Sequence, residues 1–127
     1  MKIEISGSLA SAKLRQRVAE VLRIAADFLN VEDVFLEVNL VGDAVMKKNV
    51  LSYEAPKDFL RGDIKEKFLG EIYLNPDYIK NKEENFDLML VHGFLHLLGY
   101  VHEAENDRMK MELIEEKILK SCALLLD

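Results

Sequence analysis

A chain of 127 residues, half of them apolar and about a third charged, is long enough to bury one core and has the composition of an ordinary globular domain. Its formal charge of −6 disfavours broad, non-specific binding to nucleic acid, which depends on lysine and arginine neutralising phosphates. One cysteine, Cys122, excludes an intrachain disulfide and fits a reducing compartment. Met1 to Ser6 lacks the apolar run of a signal peptide, and no stretch approaches the roughly 20 apolar residues of a membrane span, so a cytoplasmic protein is expected.

Along the chain, Lys2 to Ile5 alternates polar and apolar residues, as a half-buried strand does. Leu14, Val18, Val21, Leu22, Ala25 and Leu29 follow at helical spacing, with Ser8 or Ser11 as the cap. Val34 to Val41 reads as a strand ended by Gly42-Asp43. Val50 to Tyr53 and Gly70 to Leu74 are two shorter strands, joined by a charged connection from Ala55 to Phe68. Pro56 and Pro76 stand just beyond strand-like runs, where a strand must stop. Within residues 46–67, Lys47, Lys48, Lys57, Arg61, Lys65 and Lys67 outnumber Glu54, Asp58, Asp63 and Glu66. That stretch is either a basic patch in an acidic chain or a solvated loop of mixed charge.

Phe86 to Leu98 is apolar except for Asp87 and two histidines, which predicts a buried helix with Gly99 as its stop. Glu105 to Leu119 places Met109, Leu113, Ile114 and Ile118 on one face of a last amphipathic helix. The order is strand, helix, three strands, two helices. Such an order predicts a single α+β domain over residues 1–127: a small mixed four-stranded sheet covered by helices.

The chemistry concentrates in Val91-His92-Gly93-Phe94-Leu95-His96-Leu97-Leu98-Gly99-Tyr100-Val101-His102, which holds all three histidines of the chain. His92 and His96 are four apart, so a helix stacks both rings on one face. Gly99 lets the chain leave the helix through a left-handed turn, and His102 can then swing back to the same point. Two unpartnered imidazoles are costly on an apolar helix, and they either pack with hydrogen-bonded nitrogens or share a metal. Zinc suits the set. It takes imidazole nitrogen at about 2.0–2.1 Å and prefers four ligands, so three histidines leave one position open, a catalytic pattern. Zinc-bound water has a pKa of about 7, which points to hydrolysis without choosing the bond. Nickel and copper accept the same ligands.

The spacing matches that of the metzincin proteases, but their general base, the glutamate after the first histidine, is replaced by Gly93. Glu103, beside His102, is a substitute that nothing in the spacing requires, and a solvated turn residue is the better reading of it. A metallopeptidase is therefore disfavoured.

The segment from His92 to His102 resembles the signature of the YbeY family of rRNA-maturation endoribonucleases, His-Gly-x-Leu-His-Leu-x-Gly-Tyr-Asp-His, with Val101 at the aspartate position. Asn49-Val50-Leu51-Ser52-Tyr53 is similar to the family's Asp-Val-Leu-Ser-Phe, and Leu69-Gly70-Glu71-Ile72 to its Leu-Gly-Asp-Ile. Glu112 to Leu119 looks like its closing helix, so the likeness runs from about Val34 to Leu119. The resemblance implies an α+β fold and one zinc held by His92, His96 and His102. It also implies endonucleolytic cleavage of single-stranded RNA in maturation of the small-subunit rRNA 3′ end and in ribosome quality control. Its partners are then rRNA and the small ribosomal subunit.

One departure stands out. The family's helix and Tyr-Arg segment before Asp-Val-Leu-Ser is reduced here to Gly42 to Lys48, without arginine. Lys47, Lys48 and Arg61 are the candidate substrate contacts in its place, although lysine lacks the bidentate fork of arginine. The same loss leaves open a non-catalytic ribosome-assembly factor in which metal organises the fold.

Overall fold

The computed structural model describes residues 1–56 and 66–127. Eight elements follow one another: β1 (Lys2–Ser6), α1 (Ala12–Leu29), β2 (Val34–Leu40), β3 (Val50–Glu54), β4 (Lys67–Leu74), α2 (Pro76–Asn81), α3 (Phe86–Leu97) and α4 (Glu105–Leu126). The sheet order is β1-β2-β4-β3, with β1, β2 and β4 parallel and β3 antiparallel to β4. Parallel β1 and β2 need a crossover, which α1 provides. The chain then passes beyond the place of β4 to lay down β3 at the edge, and returns to fill the gap. This is the α+β fold with a mixed four-stranded sheet that the sequence predicts.

Ser11, of the two candidate caps, starts α1: its hydroxyl accepts from the Leu14 amide. Val18, Val21, Leu22 and Ala25 form the buried stripe of α1 and meet Leu36, Val38, Leu40, Ile72 and Leu74 from the sheet. Helix α3 runs through this core, touching β3, β4, α1, α2 and α4. It buries Leu90, Val91, Phe94, Leu95 and Leu97. Full burial contributes about 1.5–3 kcal/mol for each large apolar side chain, so α3 is anchored on nearly every side. Among the described residues, no helix is long and apolar enough to cross a membrane.

Three expectations change. Pro76 is not merely a strand stop: it opens α2, and the preceding Asn75 caps that helix by accepting from the Tyr78 amide. Helix α4 runs to Leu126, beyond Leu119, and only part of the expected face turns inward: Ile118 is buried and Ile114 packs against the core. Met111, Glu115, Ile118 and Cys122 are buried, whereas Met109 and Leu113 are 58% and 52% exposed. Strand β4 begins at Lys67, taking in the end of the charged connection. Most of that connection, with Lys57, Arg61 and Lys65, lies outside the described residues.

Candidate metal centre and its cleft

The site is built on α3 and the turn after it. The helix ends through a pair of backbone bonds, Gly99 N–H to His96 O at 3.0 Å and Tyr100 N–H to Leu95 O at 3.0 Å. Gly99 has φ +98°, which closes this Schellman turn without a Cβ penalty. The reversal returns His102 to the helix face that carries His92 and His96. Their candidate ligand atoms all lie within 4.8 Å of one another.

Two of the three rings are oriented from behind. The carbonyl oxygen of Tyr100 lies 2.9 Å from His96 Nδ1, and a carbonyl only accepts, so that nitrogen carries the proton. His92 Nδ1 lies 2.7 Å from Oε2 of Glu115, a residue of α4 only 6% exposed, and donates to that carboxylate. Burial also pushes the His96 pKa below its ordinary value, which favours the neutral ring. An imidazole that is neutral and donates through Nδ1 presents a bare lone pair at Nε2. The two Nε2 atoms face each other at 3.0 Å. A cation placed between them would be held by both nitrogens. Two imidazole ligands at about 2.0–2.1 Å from one ion in a tetrahedral shell stand about 3.3 Å apart, close to the His92–His96 spacing, so the pair fits a shared metal ion. His102 joins from the exposed turn, its ring stacked on His92 at 5.4 Å between centroids and 4.8 Å from that of His96.

The histidines line a cleft of about 620 Å³ whose opposite wall is the edge strand, from Asn49 through Ser52 to Glu54. Gly93 shows why α3 can lie so close to it. A Cβ there would meet Ser52 Oγ at 3.0 Å, Ile72 Cγ2 at 3.1 Å and Val50 Cγ2 at 3.2 Å. The position that bears the catalytic glutamate in the metzincin motif is therefore turned into the sheet. A carboxylate has no room there.

Glu103 and Glu54 do line the cleft, together with Glu115. Among the described residues lining it, none is lysine or arginine. Lys48 instead borders a neighbouring depression of about 550 Å³, together with Lys82, and this depression shares Asn49 and Val50 with the cleft. Lys47 is exposed on the same loop, and Arg61 falls outside the described residues. Sequence reasoning missed Glu115. Its one signal was a stripe, Met111, Glu115, Ile118 and Cys122, in which a carboxylate interrupts an apolar face.

A helix-borne histidine pair, a third histidine after a glycine turn, and an edge strand across the cleft form a site that could hold a metal ion, the arrangement of a metallohydrolase. Comparison with known proteins narrows the class. The family model described as Endoribonuclease YbeY matches residues 2–123. An Endoribonuclease YbeY of Thermodesulfovibrio yellowstonii is 33% identical over 109 residues, covering 69% of this chain and 67% of that protein. One from Francisella tularensis subsp. mediasiatica is 29% identical over 119 residues, covering 77% and 74%. The solution structure of TM1509 from Thermotoga maritima superposes with a TM-score of 0.56 at 25% identity, covering 94% of this chain and 90% of that one. The chain belongs to the YbeY endoribonuclease family.

Proposed function

We propose that this protein is a metal-dependent endoribonuclease that cuts single-stranded RNA during maturation of the small-subunit rRNA 3′ end and in ribosome quality control. Residues 1–127 act as one domain, in the cytoplasm, on rRNA and the small ribosomal subunit. The observation that carries the reading is the convergence of His92, His96 and His102, with the Nε2 atoms of the first two 3.0 Å apart, on a chain of this family.

His92, His96 and His102 hold one divalent ion, zinc by preference of the donor set. When bound, such an ion supplies a Lewis acid for a phosphoryl oxygen and lowers the pKa of a coordinated water. The protein's own groups do the positioning. Tyr100 and Glu115 fix the rings, and the edge strand from Asn49 to Glu54 forms the wall along which an extended RNA strand lies. Lys48 and Lys82, in the adjoining depression, meet the phosphates that leave the cleft past Asn49. Lys47 and Arg61 are further candidate contacts. Glu54 and Glu103 are the exposed carboxylates within reach of the cleft and the candidates to accept a proton.

Zinc-loaded protein incubated with single-stranded rRNA fragments should give endonucleolytic products that His92→Ala and chelator abolish. Identical RNA patterns from wild type and His92→Ala refute the reading. One observation favours a second reading, a non-catalytic assembly factor: no lysine or arginine lines the cleft among the described residues. Binding to small subunits without cleavage selects it. A peptidase has no such support, because the Gly93 position faces the sheet.

A further inference from the structure

We infer that Glu115 is a positioning residue for the metal: its carboxylate sets the tautomer of His92 and raises the affinity of the three-histidine site. The inference rests on the proposal that these histidines bind a metal.

Three observations carry it. Glu115 sits in the middle of α4, on the one buried stripe of a helix whose other glutamates, Glu105, Glu112 and Glu116, are exposed. Its Oε2 lies 2.7 Å from His92 Nδ1, and among the described residues His92 is the hydrogen-bond and ion-pair partner of this side chain. The ring so held points its other nitrogen at His96 Nε2, 3.0 Å away. Taking a carboxylate out of water costs several kcal/mol unless an opposite charge answers it, and Glu115 is only 6% exposed. A divalent ion on the far side of the ring supplies that charge. Glu115 thus costs folding stability in the metal-free protein and contributes affinity in the metal-bound one, where the ring's donated proton makes Nε2 a stronger ligand. His96 is held by the Tyr100 carbonyl, a neutral acceptor, so of these two rings only His92 is hydrogen-bonded to the carboxylate.

A core-filling role makes the opposite forecast. Were Glu115 needed only for packing, Glu115→Ala would weaken the apoprotein, and the isosteric Glu115→Gln would bind zinc as wild type does. Glu115→Gln keeps the size and can still accept from Nδ1 through its amide oxygen, but removes the charge.

The test is a competition titration of zinc against a chromophoric chelator on wild type, Glu115→Gln and Glu115→Ala, with urea melts of each apoprotein and ¹⁵N NMR of the His92 ring in wild type. Zinc affinity should fall 10–100-fold in Glu115→Ala and less in Glu115→Gln. Apo Glu115→Gln should be at least as stable as wild type, and the apo wild-type ring should carry its proton on Nδ1. Equal zinc affinity in all three proteins, a proton on Nε2 of His92, or an apo Glu115→Gln that is destabilised or unfolded overturns the inference. Wild type that binds no zinc defeats the underlying metal-site reading instead.

Discussion

The hydroxyl of Ser52 on β3 donates to the carbonyl oxygen of Gly93 on α3 at 3.1 Å, tying the edge strand to the helix that carries the histidines. The absence of a side chain at residue 93 eases this approach, since a Cβ there would stand 3.0 Å from Ser52 Oγ. The contact makes the cleft narrow and fixes which way α3 is turned about its axis, so that His92 faces outward while its neighbour faces the sheet.

Gly93→Glu should therefore destabilise the protein by about 3 kcal/mol, since overpacking costs about 1–3 kcal/mol and an unpartnered buried polar group a similar amount. It should also create no peptidase activity. Gly93→Ala should be milder. The roughly 1 kcal/mol that alanine contributes to a helix offsets part of the crowding at 3.0–3.2 Å. Urea unfolding of the two variants, with a casein assay on the first, checks both statements.

Asn75 is fully buried and serves two elements at once. Its amide donates to Asp43 Oδ1 at 2.7 Å and to the Met46 carbonyl at 2.7 Å, while its oxygen caps α2. The short Gly42–Lys48 loop is thereby fastened to the end of β4. Asn75→Ala should cost about 2–3 kcal/mol, a lost cap plus a buried carbonyl left unsatisfied. Amide hydrogen exchange at Val45 and Met46 should accelerate in the same variant, and unchanged exchange there would argue that the loop is held by other contacts.

Much of this was legible beforehand, and the reason differs by element. The three histidines lie within eleven residues, so helical spacing and Gly99 suffice to bring them together. Short α2 has too few residues to show periodicity, and Pro76 reads equally as a strand stop or a helix start. The inward face of α4 is legible only in part: Ile114 and Ile118 do pack inward, but Met109 and Leu113 share their helical spacing and are exposed, while the true stripe contains Glu115. Only tertiary burial against His92 distinguishes that glutamate from its exposed neighbours. Where Lys48 sits relative to the cleft depends on loop geometry set by Asn75, which local pattern does not encode.

Acid should weaken the metal-free protein through His96, whose folded pKa is lowered mainly by burial. The sign follows from linkage: below the unfolded value of about 6.5 the unfolded chain takes up a proton that the folded ring resists. Stability present above that pH is lost as pH falls toward the folded pKa. With chelator present, the urea midpoint of wild type should drop between pH 7.5 and 5.5 more than that of His96→Ala. Equal drops would show that this ring does not titrate as its burial implies.

Cys122 is buried on α4, and desolvation, the main cause, raises its thiol pKa. The thiolate is the reactive form, so a disulfide exchange reagent at pH 8 should label the native protein slowly and the urea-unfolded protein at once. Rapid native labelling would mean that the end of α4 opens readily from α1.

The centre of the account is one divalent ion held by His92, His96 and His102, and elemental analysis of protein purified without added metal tests it most directly. Wild type should carry one ion per chain, zinc foremost, and His92→Ala, His96→Ala and His102→Ala should each carry little, with their folds retained by circular dichroism. Metal-free wild type that takes up no zinc when offered it, or a folded His96→Ala that still holds a full equivalent, would contradict the account.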